Sequence, residues 1–488
     1  MTWLVKVLYT ATLAGLALYA LHVLVLIVLY LRHRRDVGPP LPAVVEEHLP
    51  SVTVQIPMRN EWHVAHRVIR AVGSLDWPRD KLEIQILDDS DDATVSVVDT
   101  EVAGLQQRGV QVEVLRRDAP RGYKAGALAA GTAVARGEYL AIFDADFCPE
   151  VDFLRQTVPY FLDNRELGMI QARWGHLNAD YSLMTRIQAL VLDAHYSVDH
   201  IARAQSRLLT NFNGAAGVWR KATIVDAGGW QTDTLTEDLD LSYRAQLQGW
   251  RVLYLPDVVV PAEVPPLVTA FKAQQERWAK GAFQCFRKLA GPIVRSRRLS
   301  LVQKAMGLLH LSGYANQPLL LTMILLTLPM VLTNPKFSDY TIWLGALASI
   351  PSLLYVLGQI HFHRDWLRRI VVYPALLLVW MGLAWSLTLA VFQGLTSWGG
   401  AFVRTPKYEI TGSEGDWRRS AYRPRISATW IGELVLGAYV CVAMWYAARL
   451  AHGHLIPLAL GYALGQVMML ALTASEARSW ARMPHRGA

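Results

Sequence analysis

The sequence predicts an α/β domain with a mixed, mainly parallel sheet, inserted in an α-helical transmembrane bundle. Three observations predict it. An apolar run extends from Trp3 to Leu31, no long apolar run occurs between residues 51 and 289, and apolar segments return from 306 to 475. The first run is long enough to cross a bilayer and too long for a signal-peptide core, so no cleaved leader is expected. The mean hydropathy of +0.21 also fits one soluble domain joined to several spans. The net charge is +8, but much of the Lys and Arg flanks apolar segments. That distribution reads as membrane orientation and argues against nucleic acid as a partner. Cys148, Cys285 and Cys441 form no CxxC and no Cys/His cluster, so neither a disulfide framework nor a zinc site is expected.

Taken in order, the first span is followed by Arg32-His33-Arg34-Arg35 and a linker carrying Pro39, Pro40 and Pro42. Residues 51–57, 82–87, 112–115 and 139–143 then read as strands, and 63–75 and 126–135 as helices. Strands that alternate with helices predict parallel pairing through crossovers. Ligands of such sheets sit beyond the carboxyl ends of the strands, where Asn60, Glu61, Asp88, Asp89, Asp144 and Asp146 fall. The division expected is 1–32 as a transmembrane helix, 33–305 as the catalytic domain, and 306–488 as the remaining membrane region.

In that last region the candidate spans are 306–332, 340–362, 370–396, 428–450 and 455–475. Positive residues mark the cytoplasmic side of a span. Arg32 to Arg35 therefore put the α/β domain in the cytoplasm, and His363 to Arg369 return there. The loop 397–427 carries Arg404, Lys407, Arg418, Arg419, Arg423 and Arg425, and the C-terminal stretch carries Arg478, Arg482 and Arg486. Both are cytoplasmic only if 370–396 lies in the interface or re-enters, which gives five crossings.

Several short patterns carry chemistry. Asp144-Ala145-Asp146 follows the strand at 139–143. Two carboxylates so spaced can hold a divalent cation, Mn2+ or Mg2+, against a diphosphate. Thr236-Glu237-Asp238 precedes a helix-like stretch. It reads either as an N-cap with an acidic first turn or as a site whose general base is Asp238. Gln274-Gln275-Glu276-Arg277-Trp278 offers an aromatic face for a sugar ring and donors for hydroxyl or phosphate oxygen, or else an amphipathic surface helix. Arg121 to Ala127 opens a helix with glycines and Lys124, but its spacing is not that of a Walker loop. Phe402 to Lys407 could close over a diphosphate or simply anchor a solvated loop. Tyr314, Asn316 and Gln317 lie inside an apolar run, where polar groups line a path or bond helix to helix.

The order Asp88, Asp144-x-Asp146, Thr236-Glu237-Asp238, Gln274-x-x-Arg277-Trp278 resembles the D, DxD, TED, QxxRW series of processive family-2 glycosyltransferases, the cellulose synthase superfamily. Over residues 50–290 the chain is most similar to the plant cellulose synthase-like A and C groups. The stretches that carry this are Gln55 to Met58, Leu87 to Asp92, Gly122 to Gly126, Phe143 to Phe147, Gln171 to Trp174 and Phe212 to Gly214. The resemblance implies a GT-A-type nucleotide-sugar-binding domain. It assigns Pro57, Glu61 and Asp88 to the nucleotide base, Lys124 and Asp144 to the nucleotide, and Asp146 with Asp144 to the metal. Asp238 would be the base, and Trp278 and Glu237 would meet the acceptor. Gln274, Arg277, Thr405 and Lys407 would lie near the diphosphate. Phe402 to Lys407 resembles a gating loop, with Arg404 where the family carries Val. No C-terminal cyclic-dinucleotide module is expected.

The function implied is an inverting, processive β-1,4-glycan synthase in the plasma or inner membrane, which passes its product through its own helices. The donor is UDP-glucose or GDP-mannose. Leu87 to Asp92 looks like the C group and tips the reading to UDP-glucose, while Lys124 to Leu128 is nearer the A group. The alternatives are a single-transfer enzyme acting on a membrane lipid, and a scaffold with an inactive domain.

Overall fold

The computed structural model describes residues 2–36, 38–335, 340–420, 422, 427–450 and 456–481. Seven strands form one sheet: β1 (Val52–Met58), β2 (Leu82–Asp88), β3 (Val112–Leu115), β4 (Tyr139–Ile142), β5 (Leu167–His176), β6 (Gly217–Arg220) and β7 (Arg251–Ala262). Their order is β3-β2-β1-β4-β6-β5-β7. The pairs β1–β2, β1–β4, β2–β3 and β5–β7 are parallel, whereas β6 runs antiparallel to both β4 and β5. The sheet is thus mixed and mainly parallel, as the sequence predicts.

Both faces are covered, so β1, β2 and β4 are buried almost throughout, and the polar Thr53, Gln55, Glu83 and Gln85 bond one another between β1 and β2. Along β4, Tyr139 and Ala141 join one core with Val68, Ile69 and Val98, whereas Leu140 and Ile142 join a second with Leu128, Trp219 and Leu241. This is the two-residue period of a strand packed on both sides. The first core is closed by helices Ala65–Gly73 and Thr94–Gln107, and the second by helices Tyr123–Val134 and Glu237–Gln248.

Five helices among the described residues are long and apolar enough to cross a membrane: Thr2–His33, Gly313–Thr333, Trp343–Phe362, Trp430–Arg449 and Pro457–Trp480. The run expected as one span at 306–332 is broken. A capped helix, Leu301–Leu311, ends at Ser312, and the apolar helix starts afresh after it. The segment expected to re-enter is a pair of helices, Trp366–Gly382 and Ala384–Thr396, bent by 53°. Both of its ends touch the α/β domain: His363 bonds Asp193 at 2.8 Å, and the Gly399 amide donates to the Asp233 carbonyl at 2.7 Å. Arg423, Arg425, Arg482 and Arg486 lie outside the described residues.

Candidate active site

The strand ends deliver the acidic groups to one place. A single cavity of about 1180 Å3 opens above the carboxyl ends of β1 and β4 and continues between the membrane helices. Pro57, Glu61, Lys124, Asp144, Asp146, Glu237 and Asp238 line it, as do Gln274, Arg277, Trp278, Thr405 and Lys407. Of the site residues expected from sequence, Asp88 is the exception. Its carboxylate is buried, accepts from Arg116 Nε at 3.0 Å and from the Ser90 amide, and does not reach the cavity. Asp89, one residue on, is the lining carboxylate, and Arg117 pairs with it. The strand ends at Asp88, whose carboxylate is taken up by Arg116 and the Ser90 amide, and Asp89 is the first residue past it, on the cavity wall.

At the centre, the Lys124 ammonium pairs with Asp144 and donates to the Gly214 carbonyl at 2.9 Å. Burial works against the ammonium, but Asp144, Glu237 and Asp238 outweigh it and raise its pKa. Asp238 sits in the first turn of helix Glu237–Gln248 and accepts from the Leu239 amide at 2.8 Å. Burial pushes its pKa up, and Lys124 holds it down in part. Glu237 beside it is pushed to about 7, chiefly by burial and then by the Asp238 charge. A carboxylate raised in this way is a stronger base at neutral pH. Thr236 occupies the N-cap position without capping; its hydroxyl meets Cys285 Sγ at 3.3 Å instead. The motif is thus an N-cap position with an acidic first turn, but without the side-chain cap bond.

Helix Val268–Arg295 carries Gln274, Arg277 and Trp278. The Arg277 guanidinium lies 4.5 Å from the Phe402 ring centroid, and Phe402 stacks on Tyr123 at 5.7 Å. Arg277 Nε is buried without a partner, a donor left for an anion. Tyr314 donates to Gln275 at 2.8 Å and so ties the membrane helix to this motif. Gln317 also lines the cavity and keeps an unpartnered oxygen.

Asp144 and Asp146 are the candidate metal ligands. Asp146 is 2% exposed and its carboxylate accepts from Lys407 Nζ at 2.7 Å. No group of three or more His, Cys, Asp or Glu ligands occurs among the described residues. The chemistry of the pair nevertheless fits a hard divalent cation, whose remaining positions diphosphate oxygens and water would fill.

Comparison with known proteins gives this arrangement a context. The family described as "Glycosyltransferase like family 2" matches residues 50–281. A glucomannan 4-beta-mannosyltransferase of Oryza sativa subsp. japonica is 43% identical over 54% of this chain and 51% of its own. A probable glucomannan 4-beta-mannosyltransferase of the same organism is 37% identical over 65% of this chain and 60% of its own. The chain thus spans about half the length of several curated relatives it matches. A solved mannosyltransferase from Pyrobaculum calidifontis in complex with GDP-Man and Mn2+ shares the fold, with TM-score 0.52 and 23% identity, over 78% of this chain and 99% of that one. Residues 50–281 are thus similar to family-2 glycosyltransferases.

Several residues of this site escaped the sequence reading. Glu263, buried at the end of β7, accepts from the Tyr408 amide at 2.8 Å and the Ile410 amide at 3.2 Å. Burial pushes it to about 7, with Lys407 opposing. It thereby holds the loop after Thr396 over the cavity. Arg404 pairs with Glu61 at 2.7 Å and lies 4.4 Å from the Tyr422 ring, so the residue that departs from the family's Val has partners of its own. Glu61 is pushed to about 7 by burial, with Arg404 the strongest opposing charge. Gly214 has φ +85°, and a Cβ there would lie 2.9 Å from Asp238 Oδ2; only glycine serves at such a turn without strain. Phe212-Asn213-Gly214 was visible as a stretch, but not its closeness to the base.

Proposed function

We propose that the chain is an inverting membrane glycosyltransferase that extends a β-1,4-linked glycan from a nucleotide-activated hexose and passes it into its own helix bundle. One observation carries this reading: Asp238, Trp278 and the Asp144/Asp146 pair line the same cavity as Tyr19, Tyr314, Tyr355 and Trp380 of the membrane helices. A pocket for one ligand reaches about 1,000 Å3 at most, so a cavity of 1180 Å3 that enters the bundle suits a longer acceptor. A single-transfer enzyme acting on a membrane lipid is the alternative, and product size distinguishes the two.

In this mechanism the acceptor sugar stacks on Trp278 and offers its hydroxyl to Asp238. Asp238 takes the proton as the oxygen attacks the anomeric carbon from the face opposite the diphosphate. The bond to the diphosphate breaks, and Arg277, Lys124 and Lys407 receive the charge of the leaving group. Mn2+ or Mg2+, held by Asp144 and Asp146, would supply further charge on the diphosphate. With one base and no second carboxylate assigned as a nucleophile, the configuration inverts, and an α-linked donor gives a β-linked product.

The lean to UDP-glucose finds no support in the relatives' names, which speak of mannosyl transfer. GDP-mannose is therefore the donor proposed, with UDP-glucose the alternative. The domain faces the cytoplasm, with five crossings and a re-entrant 370–396. The domain contacts at both ends of that segment support this, because a segment that leaves and returns on one side does not cross. A donor screen on the purified protein with radiolabelled GDP-mannose and UDP-glucose, with Mn2+ or Mg2+, tests the reading. Transfer to a glycan acceptor from either donor is expected; none from either overturns it.

A further inference from the structure

Helix Leu183–Ala194 does not pass smoothly into helix His200–Gln205: residues His195–Asp199 form a π-helical turn between them. Single π turns inside α-helices are rare and cluster at functional positions. This one brings His195 and Tyr196 to the cavity wall, where Trp174, His176 and Asn211 also lie.

Three polar atoms of that wall lack partners: His176 Nδ1, Asn211 Oδ1 and the Tyr196 hydroxyl are buried and unbonded within the protein. The other ends of the His176 and Asn211 side chains are engaged. His176 Nε2 meets Asp193 at 2.9 Å, which in the neutral imidazole places the proton on Nε2 and leaves Nδ1 an acceptor. The Asn211 amide nitrogen donates to Asn213 Oδ1 at 2.8 Å, which leaves its oxygen an acceptor. Buried acceptors without donors are costly, and a ligand that brings hydroxyls removes the cost. Two acceptors and a phenol hydroxyl bring no charge to hold an anion or a cation. Beside the rings of Trp174 and Tyr196, tilted by 39° with centroids 5.8 Å apart, they suit a neutral molecule with apolar faces and hydroxyl edges. The chain from Asn211 to Gly214 joins this wall to the base, since Gly214 abuts Asp238.

We propose that Trp174, His176, Tyr196 and Asn211 form a second acceptor subsite, which binds the neutral sugar residue behind the one on Trp278. It rests on the glycosyltransferase reading above and extends it to acceptor length. The test is KM for β-linked mono-, di- and trisaccharide acceptors, measured on the full chain in detergent. In the unsubstituted chain KM falls as the acceptor grows by a residue. In Asn211→Leu, which removes the acceptor oxygen, the di- and trisaccharide KM rises about tenfold, the worth of one hydrogen bond. The monosaccharide KM moves far less. Asn211→Asp keeps the oxygens and retains the length dependence. The ratio between acceptor lengths cancels any loss of folded protein. A KM equally changed for all lengths, or unchanged for all, overturns the subsite. Failure of the unsubstituted chain to transfer from either donor is a distinct result, which sinks the glycosyltransferase reading and the subsite with it.

Discussion

Replacing Lys407 with methionine removes the cation that now sits on the proposed metal ligand. Lys407 Nζ lies 2.7 Å from Asp146 Oδ2, with Glu263 O at 3.4 Å as its other partner. Both side chains are largely withdrawn from solvent, at 15% and 3% exposure, so the pair is not screened away. A hydrogen bond to a charged group is worth about 1.5–3 kcal/mol, and a metal must displace this one before it reaches Asp146. Lys407→Met should therefore tighten Mn2+ binding to the donor-free protein by roughly tenfold to a hundredfold. Electron paramagnetic resonance of free Mn2+ during titration reads this directly. Transfer should slow in the same variant, because Lys407 is lost to the leaving diphosphate. An Mn2+ affinity equal to that of the unsubstituted chain refutes the competition, and with it the assignment of Asp146 to the metal.

Three further outcomes are expected. Asp238→Asn should lower kcat by about 10²–10⁴-fold while nucleotide-sugar binding by calorimetry persists; in the unsubstituted chain the acid limb of the rate profile should stand above the ordinary Asp value of about 3.9, since only the deprotonated base works and burial raises its pKa. Gly214→Ala, forced to φ +85° with its Cβ 2.9 Å from Asp238 Oδ2, should lose most transfer at a modest cost in thermal stability; full activity would mean that Asp238 is free to move. Glu61, Glu237 and Glu263 are each pushed from 4.5 to about 7; the folded chain keeps protons that the unfolded chain has lost in this window, so their contribution is present below about pH 4.5 and is lost as pH rises through 7, and a midpoint of thermal unfolding that rises between pH 5 and 8 contradicts it.

The features legible in the sequence were those set by local period. The short strand segments of β1, β2 and β4, alternating with helices, and the acidic residues just past them placed Glu61, Asp144 and Asp146 at the right edge of the sheet. Asp238 and Trp278 came from short motifs whose neighbours are local. What stayed hidden depends on packing between distant segments. Glu263 reads as an ordinary charge in a Pro-rich stretch until Tyr408 and Ile410 come to it from about 145 residues away. Arg404 reads as a departure from a pattern until Glu61 meets it. Whether Asp88 or Asp89 faces the cavity turns on one residue of strand length. The break at Ser312 is a capped helix end inside an apolar run, and hydropathy alone does not report it.

The most direct test of the central claim is the size and linkage of the product made by the purified chain from labelled donor. A high-mass polymer cut by a β-1,4-mannanase is the result expected, and one cut by a β-1,4-glucanase would keep the mechanism but change the sugar. Label found only in an organic-extractable lipid would contradict the account, for then the cavity's run into the membrane helices serves no growing chain.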